Sequence, residues 1–298
     1  MHLFFTGHGY VFSKYFILRE DNHMRKGFYK ICAFIAALIM VVPMFAAWGK
    51  KGERVVVKGS TTVLPITQKA AEVFKKSTGI SVFLEGSGSG NGIKSLIEGG
   101  CDIANSSREM KKEEKESAKK KGVEVKEIPV AYDMVVPVVH PSNPVKNLTL
   151  DQLKAIYDGS IKNWKEVGGK DENIVVISRD TSSGTYEMWH EKVMKKADVR
   201  ADALLQASNG AIVTSVAGNP RAIGYVGFGY LNPSIKALSI NGVIATIQNG
   251  KSGKFPTSRR LYMYVNSKKL SDSAKQFVDF LLGPKGQAIV KEEGYIPL

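Results

Sequence analysis

Beyond residue 50 the chain alternates short β-branched runs with apolar stripes of helical spacing. Residues 54–58 (RVVVK) predict a strand. Over residues 65–76 the apolar side chains Ile66, Ala70, Val73 and Phe74 share one helical face, and Pro65 suits the first turn, where its missing N–H costs nothing. Residues 80–84 predict the next strand. Ile93, Leu96 and Ile97 mark a second helix, ended by Gly99-Gly100. Residues 102–104 predict a short strand, a Lys/Glu-rich helix follows, and residues 123–130 predict a fourth strand. This β-α-β-α-β-α-β order is the pattern of an α/β layer with a largely parallel sheet. A second unit starts near Tyr132-Asp133. Residues 134–139 read as a buried strand, 150–157 as a helix and 174–178 as a strand. Tyr186, Trp189 and Val193 form a helical stripe, residues 223–226 and 261–265 are further strands, and 273–282 is a closing helix. With no internal repeat or low-complexity linker, the pattern predicts two α/β lobes.

The small polar residues fall at recurring places. Gly59-Ser60-Thr61-Thr62 lies between the first strand and the Pro65 helix, and Gly86-Ser87-Gly88-Ser89-Gly90-Asn91-Gly92 between the second strand and the Ile93 helix. Arg179-Asp180-Thr181-Ser182-Ser183-Gly184-Thr185 precedes the Trp189 helix, and Asn105-Ser106-Ser107-Arg108 follows the short third strand. All four sit at carboxyl ends of strands, the edge where open α/β sheets bind ligands. A helix N-terminus leaves N–H groups unpaired and carries partial positive charge. Glycine lets an anion approach that backbone, hydroxyls add rotatable donors, and Arg179 adds a charge-assisted grip. A single Ser or Thr before a helix is ordinarily only an N-cap. The repeated placement points instead to a site for a small oxyanion.

Composition narrows the class. The 298 residues are 43% apolar, ordinary for a globular chain of one large domain or two modest ones. Of the two cysteines, Cys32 lies in an apolar run and Cys101 stands alone, which excludes a disulfide framework and a cysteine zinc site. Residues 24–30 (MRKGFYK) read as a basic n-region and 31–47 as the apolar segment of an export signal or of an uncleaved membrane anchor; Met24 is the better start. Without residues 1–47 the chain keeps 37 basic against 26 acidic residues, a balance of +11 that favours an anionic partner. Export argues against nucleic acid. The run from Lys111 to Lys121 mixes both signs without aromatics and reads as a solvated helix face.

Competing chemistries fail on spacing. A dinucleotide fingerprint opening at Gly86 needs Gly at 91, where Asn91 stands, and no Gly-Lys-Ser/Thr follows any loop. No Gly-x-Ser-x-Gly elbow surrounds Ser87, Ser89 or Ser183, and His140 and His190 have no His partner at metal-binding spacing. No catalytic residue, metal or cofactor is expected.

In order and spacing, Gly59-Ser-Thr-Thr, Gly86-Ser-Gly-Ser-Gly, Asp102-Ile-Ala-Asn-Ser-Ser-Arg, Tyr132-Asp133, Ser178-Arg-Asp-Thr-Ser-Ser-Gly-Thr185, Ala222-Ile-Gly-Tyr-Val-Gly227 and the ending from Gly286-Gln287 to Gly294-Tyr-Ile-Pro-Leu298 resemble the phosphate-binding receptors of bacterial phosphate ABC transporters. The resemblance covers residues 53–298. It implies an α/β, two-lobed periplasmic-binding-protein-like fold of type II, with crossover hinges near 131–133 and 227–230. Lobe I would comprise 53–132 and 228–298, and lobe II 133–227. It implies phosphate contacts from Ser60, Thr61, Thr62, Ser89, Arg179, Ser183, Gly184 and Thr185. Ser107 stands where some members carry an aspartate that accepts the proton of hydrogen phosphate. With Ser107 there, the acceptor must come from elsewhere, and Asp133 and Asp180 are the candidates. The implied protein is a monomeric, extracytoplasmic receptor that delivers inorganic phosphate to the permease subunits of an ABC transporter. The alternatives are a receptor for another tetrahedral oxyanion such as sulfate, or a surface interaction protein on the same scaffold.

Overall fold

The computed structural model describes residues 54–298; the segment read as an export signal or anchor, with Met24 and Cys32, lies outside the described residues. The chain begins β1 (Arg54–Gly59), α1 (Leu64–Thr78), β2 (Ser81–Gly86), α2 (Ser89–Ile97), β3 (Ile103–Ser106), α3 (Lys112–Lys120) and β4 (Val125–Val139). It continues β5 (Asn147–Leu148), α4 (Leu150–Asp158), β6 (Val175–Arg179), α5 (Gly184–Lys192), β7 (Leu204–Gln206), α6 (Asn209–Ala217) and β8 (Ala222–Gly227). It closes β9 (Lys236–Ala237), β10 (Ser239–Ile240), α7 (Ile247–Lys251), β11 (Ser258–Asn266), α8 (Asp272–Leu282) and α9 (Pro284–Glu292).

The strands run β2-β1-β3-β11-β4-β8-β6-β7 through one sheet, with β9 also paired to β4. The two expected strands 123–130 and 134–139 are one strand, β4, shared by both lobes. Its first part pairs antiparallel with β11 up to Met134, and from Val135 onward β8 takes over. The register slips once beside Pro129, which has no N–H to give the ladder. β1 is parallel to β2 and β3, and β6 is parallel to β7 and β8, so the loops after these strands lie at carboxyl edges as expected.

Each lobe has its own apolar centre. In the first, α1, α8 and α9 cover β1, β3 and β11, and Phe74 meets Phe277 edge-on at 5.3 Å. In the second, Trp189 stacks on Tyr225 at 4.4 Å beside Tyr157 and Trp164. α3 buries only Ala118, so its Lys/Glu face is solvated as the sequence indicates.

The return to lobe I differs from the expected position at 228. β9 pairs with Val138 and Val139, β10 with β5, and Leu238, Ile240 and Phe255 pack in the second core. The strand that rejoins the first core is β11. Beside it, Thr257 exchanges two hydrogen bonds with Val135, at 3.0 and 2.6 Å, so β4 and the start of β11 cross between the lobes side by side.

Candidate functional site

The loops named from the sequence converge where the lobes meet. Ser60, Thr61, Thr62, Ser89, Ser107, Arg179, Ser183 and Thr185 are each 4% exposed or less. The lobes touch through Thr62 Oγ1 and Thr185 Oγ1 at 2.9 Å, through the Gly90 N–H donating to the Ser182 carbonyl at 3.0 Å, and through Lys111 with Glu187 at 2.6 Å. Glycines make this approach possible. A Cβ on Gly88, whose φ is +96°, would lie 2.5 Å from Ser182 Oγ, and one on Gly184 would lie 2.5 Å from Ser89 Oγ. Only Ser183 among the loop hydroxyls caps a helix, accepting from the N–H groups of Thr185 and Tyr186 at 3.2 Å; α1 and α2 start without a side-chain cap.

Hydrogen-bond accounting fixes what this site offers. A hydroxyl has one proton and two lone pairs. Thr62 Oγ1 accepts from Asn209 Nδ2 at 3.0 Å and from Arg259 Nη2 at 3.4 Å. Thr61 Oγ1 accepts from Asn209 Nδ2 at 3.1 Å, and Thr185 Oγ1 from Arg259 Nη2 at 3.1 Å. The Asn209 amide is oriented by its oxygen, which accepts the Gly227 N–H at 3.1 Å. Ser60 Oγ accepts the Thr62 N–H and Ser89 Oγ the Ser107 N–H. Thr62, with both lone pairs filled, gives its one proton to Thr185 Oγ1 at 2.9 Å, which fills the second lone pair of Thr185 and leaves the Thr185 proton to give. Thr61 and Ser60 accept without donating to another described group, and Ser89 shares a hydrogen bond with Ser107 Oγ. Such a site suits a partner that only accepts.

Arg179, at the end of β6, is 1% exposed. Its Nε and Nη2 donate to the Gln206 and Ala207 carbonyls at 2.9 Å, and its backbone N–H donates to the Tyr225 hydroxyl at 3.1 Å. Nη1 is buried with no hydrogen-bond partner among the described residues. Burial lowers the pKa of this guanidinium, yet the nearest carboxylate oxygen, Asp180 Oδ2, stays 3.9 Å away. That oxygen is likewise buried without a hydrogen-bond partner, while Oδ1 holds the Ser182 N–H and hydroxyl.

Asp133, the other expected acceptor, is differently placed. It is fully buried, and both its oxygens are engaged: Oδ1 by the Phe228 N–H at 2.8 Å, Oδ2 by Arg259 Nε and Nη2 at 2.8 and 2.7 Å. Burial pushes its pKa up, and the Arg259 charge pulls the other way. Ser107, in the position of the missing aspartate, stands 3.2 Å from Ser89 Oγ.

The sequence reading missed Arg259 and Asn209. Asn209 follows the same rule as the loops it did find, being at the N-terminus of α6 just after β7 and capped by Ser208; β7 is three residues long and was not recognised. Arg259 was reachable by a different argument, since an aspartate inside an apolar strand requires a cation and none is near in sequence. Tyr230 and Tyr295 also brace the site, donating to the carbonyls of Thr61 and Thr62 at 2.6 and 2.7 Å. Neither of the two histidines among the described residues is bonded to it: His140 pairs with Ser142, and His190 stacks on Tyr186. Among the described residues no group of three His, Cys, Asp or Glu is placed to share a metal ion, and no helix is long and apolar enough to cross a membrane.

Comparison with known proteins gives a consistent result. The PBP superfamily domain matches residues 46–285. The chain is 35% identical over 250 residues to the phosphate-binding protein PstS of Borreliella burgdorferi, covering 80% of this chain and 88% of that protein. It is 36% identical over 254 residues to PstS of Staphylococcus saprophyticus, covering 80% and 79%. A phosphate ABC transporter substrate-binding protein of Clostridium perfringens, solved with bound phosphate, superposes with a TM-score of 0.78 at 38% identity, over 83% of this chain and all of that one. An ABC-type phosphate transport receptor of Vibrio cholerae gives a TM-score of 0.68 at 32% identity, over 82% of this chain and all of that one. The two-lobed α/β fold, the burial of the loop hydroxyls between the lobes and these matches together show that the chain belongs to the PBP superfamily, in the family of these phosphate-binding proteins.

Proposed function

We propose that this protein is a monomeric, extracytoplasmic receptor that captures inorganic phosphate between its lobes and delivers it to the permease of an ABC transporter. The observation that carries the reading is the donor polarity of the site. The hydroxyls of Thr61 and Thr185 have donors behind them, Thr185 through Thr62 as well as Arg259, and beside them lies a buried arginine with one nitrogen unpartnered. Donors come from both lobes, so a single anion contacts them all only when the lobes close, and binding draws the population to the closed state. Among the described residues no group of three His, Cys, Asp or Glu could hold a metal ion and no histidine is hydrogen-bonded to these hydroxyls, which favours a receptor over a phosphatase.

Asp180 supplies the discrimination that Ser107 lacks. Phosphate keeps at least one proton at neutral pH and sulfate none. A carboxylate oxygen with no donor of its own accepts that proton from phosphate and repels sulfate. Asp133 has no free oxygen for this; Asp180 Oδ2 does. The alternative reading, a broader receptor for tetrahedral oxyanions, draws on Ser107 being neutral.

Calorimetric titration of the ligand-stripped protein with phosphate, then sulfate, at pH 7–8 tests both. Tight one-to-one phosphate binding without a sulfate response supports the reading, and Asp180→Asn should then admit sulfate. Equal binding of both anions by the unaltered protein points to the broader receptor, and heat from neither rejects an oxyanion site.

A further inference from the structure

Arg259 and Asp133 occupy an unusual place, because they face each other across the two strands that cross between the lobes. Arg259 of β11 is the direct register partner of Asp133 of β4. Past Met134, β4 leaves β11 for β8, and the chain enters β11 from the second lobe at Ser258. The Asp133 carboxylate also accepts the Phe228 N–H, immediately after β8, so it ties together three segments at the junction. The other end of Arg259 reaches the site. Nη2 donates to Thr62 Oγ1 in lobe I and to Thr185 Oγ1 in lobe II; Nη1 donates to the carbonyls of Ser107 at 3.1 Å and Gly184 at 3.4 Å, again one from each lobe.

We propose that Arg259 is a positioning residue that couples the hinge to the anion: held by Asp133, it fills lone pairs of the Thr62 and Thr185 hydroxyls once the lobes close, so that Thr62 gives its proton to Thr185 and Thr185 turns its own toward the ligand. The inference rests on the oxyanion-receptor reading. Its physical basis is that arginine has five donors and no acceptor, so a hydroxyl beside it receives a bond and gives its own proton elsewhere. The planar fork matters more than the charge. A lysine has a single nitrogen and cannot face Asp133, both hydroxyls and both carbonyls at once.

The experiment uses the full chain with inorganic phosphate as the probe. Arg259→Gln combined with Asp133→Asn keeps a hydrogen-bonding pair at the hinge without burying a lone charge, and its unliganded thermal transition reports folding. Arg259→Lys retains the charge and is the second variant. The expected results are phosphate affinity at least tenfold weaker in both, with the unliganded transition of the lysine variant close to that of the unaltered protein. A double-mutant cycle with Thr62→Val separates positioning from general support, because a residue acting through that hydroxyl gives losses that do not add. Undiminished affinity in Arg259→Lys, or strictly additive losses in the cycle, overturns the proposal while leaving the receptor reading intact. Failure of the unaltered protein to bind either phosphate or sulfate overturns the receptor reading, and this one with it.

Discussion

Gly184 offers a direct test of whether the closed arrangement is the ligand-bound one. It is the first residue of α5 in lobe II, and a Cβ there would lie 2.5 Å from Ser89 Oγ, 2.7 Å from Ser107 Oγ and 3.0 Å from Ser89 Cβ. Both serines belong to lobe I. A serine hydroxyl can rotate away, but Ser89 Cβ cannot, so Gly184→Ala forces the lobes apart by a few tenths of an ångström or more. Overpacking of this kind costs about 1–3 kcal/mol, here levied on the closed state alone because the contact crosses between lobes. Since ~1.4 kcal/mol is tenfold in an equilibrium constant, phosphate affinity should fall about 5- to 150-fold. The unliganded thermal transition should change little. Gly90→Ala is the matched control. Its Cβ also faces the other lobe, but its nearest neighbour, the Ser182 carbonyl oxygen, is 3.4 Å away, so affinity should remain within a few-fold. Isothermal titration of the three proteins with phosphate, alongside scanning calorimetry without it, reads both quantities. Unchanged affinity in Gly184→Ala would refute the argument, since the ligand would then be held in a geometry where this contact does not form.

The remaining predictions concern single groups. Arg179→Met removes a charged donor whose hydrogen bonds are worth about 1.5–3 kcal/mol, so phosphate affinity should drop by at least an order of magnitude by titration calorimetry; a smaller loss would place the anion away from Nη1. Asp158 tests the electrostatics away from the site. Lys154 Nζ, 2.7 Å from its Oδ2, and Ser160 hold its carboxyl down to about 2. A lowered folded-state value stabilises the fold above the unfolded carboxylate range, near 3.9, and that contribution fades as pH falls toward 2. Carbon-13 carboxyl titration should find Asp158 still ionised at pH 3, and Lys154→Met should return its midpoint toward the ordinary range. An ordinary midpoint in the unaltered protein counts against the pairing.

What was legible in the sequence followed from local rules. Strands β1, β2, β6 and β8 were marked by β-branched runs, and α1 by its stripe and Pro65, because backbone preference and burial agree there. The four polar loops were legible because a strand end, a turn and a helix start are all local signals. β4 was split in two because Tyr132-Asp133 interrupts its apolar pattern. The interruption is real, but it marks the change of partner between lobes and the Arg259 contact, not a break in the strand. β9 and β10 are two residues long and exist only because β4 and β5 offer them edges, so periodicity has nothing to register. The site's second arginine was hidden for the same reason. Arg259 lies 126 residues from Asp133 and 197 from Thr62, and no spacing rule spans that distance. Yet the two acids could be ranked by a rule that needs no coordinates. A carboxylate inside a buried strand must be paired to remain ionised, whereas one in a polar loop can keep an oxygen for a ligand. That distinction already favours Asp180 over Asp133 as the proton acceptor, and it makes the burial of Asp133 a reason to look for its arginine at the hinge.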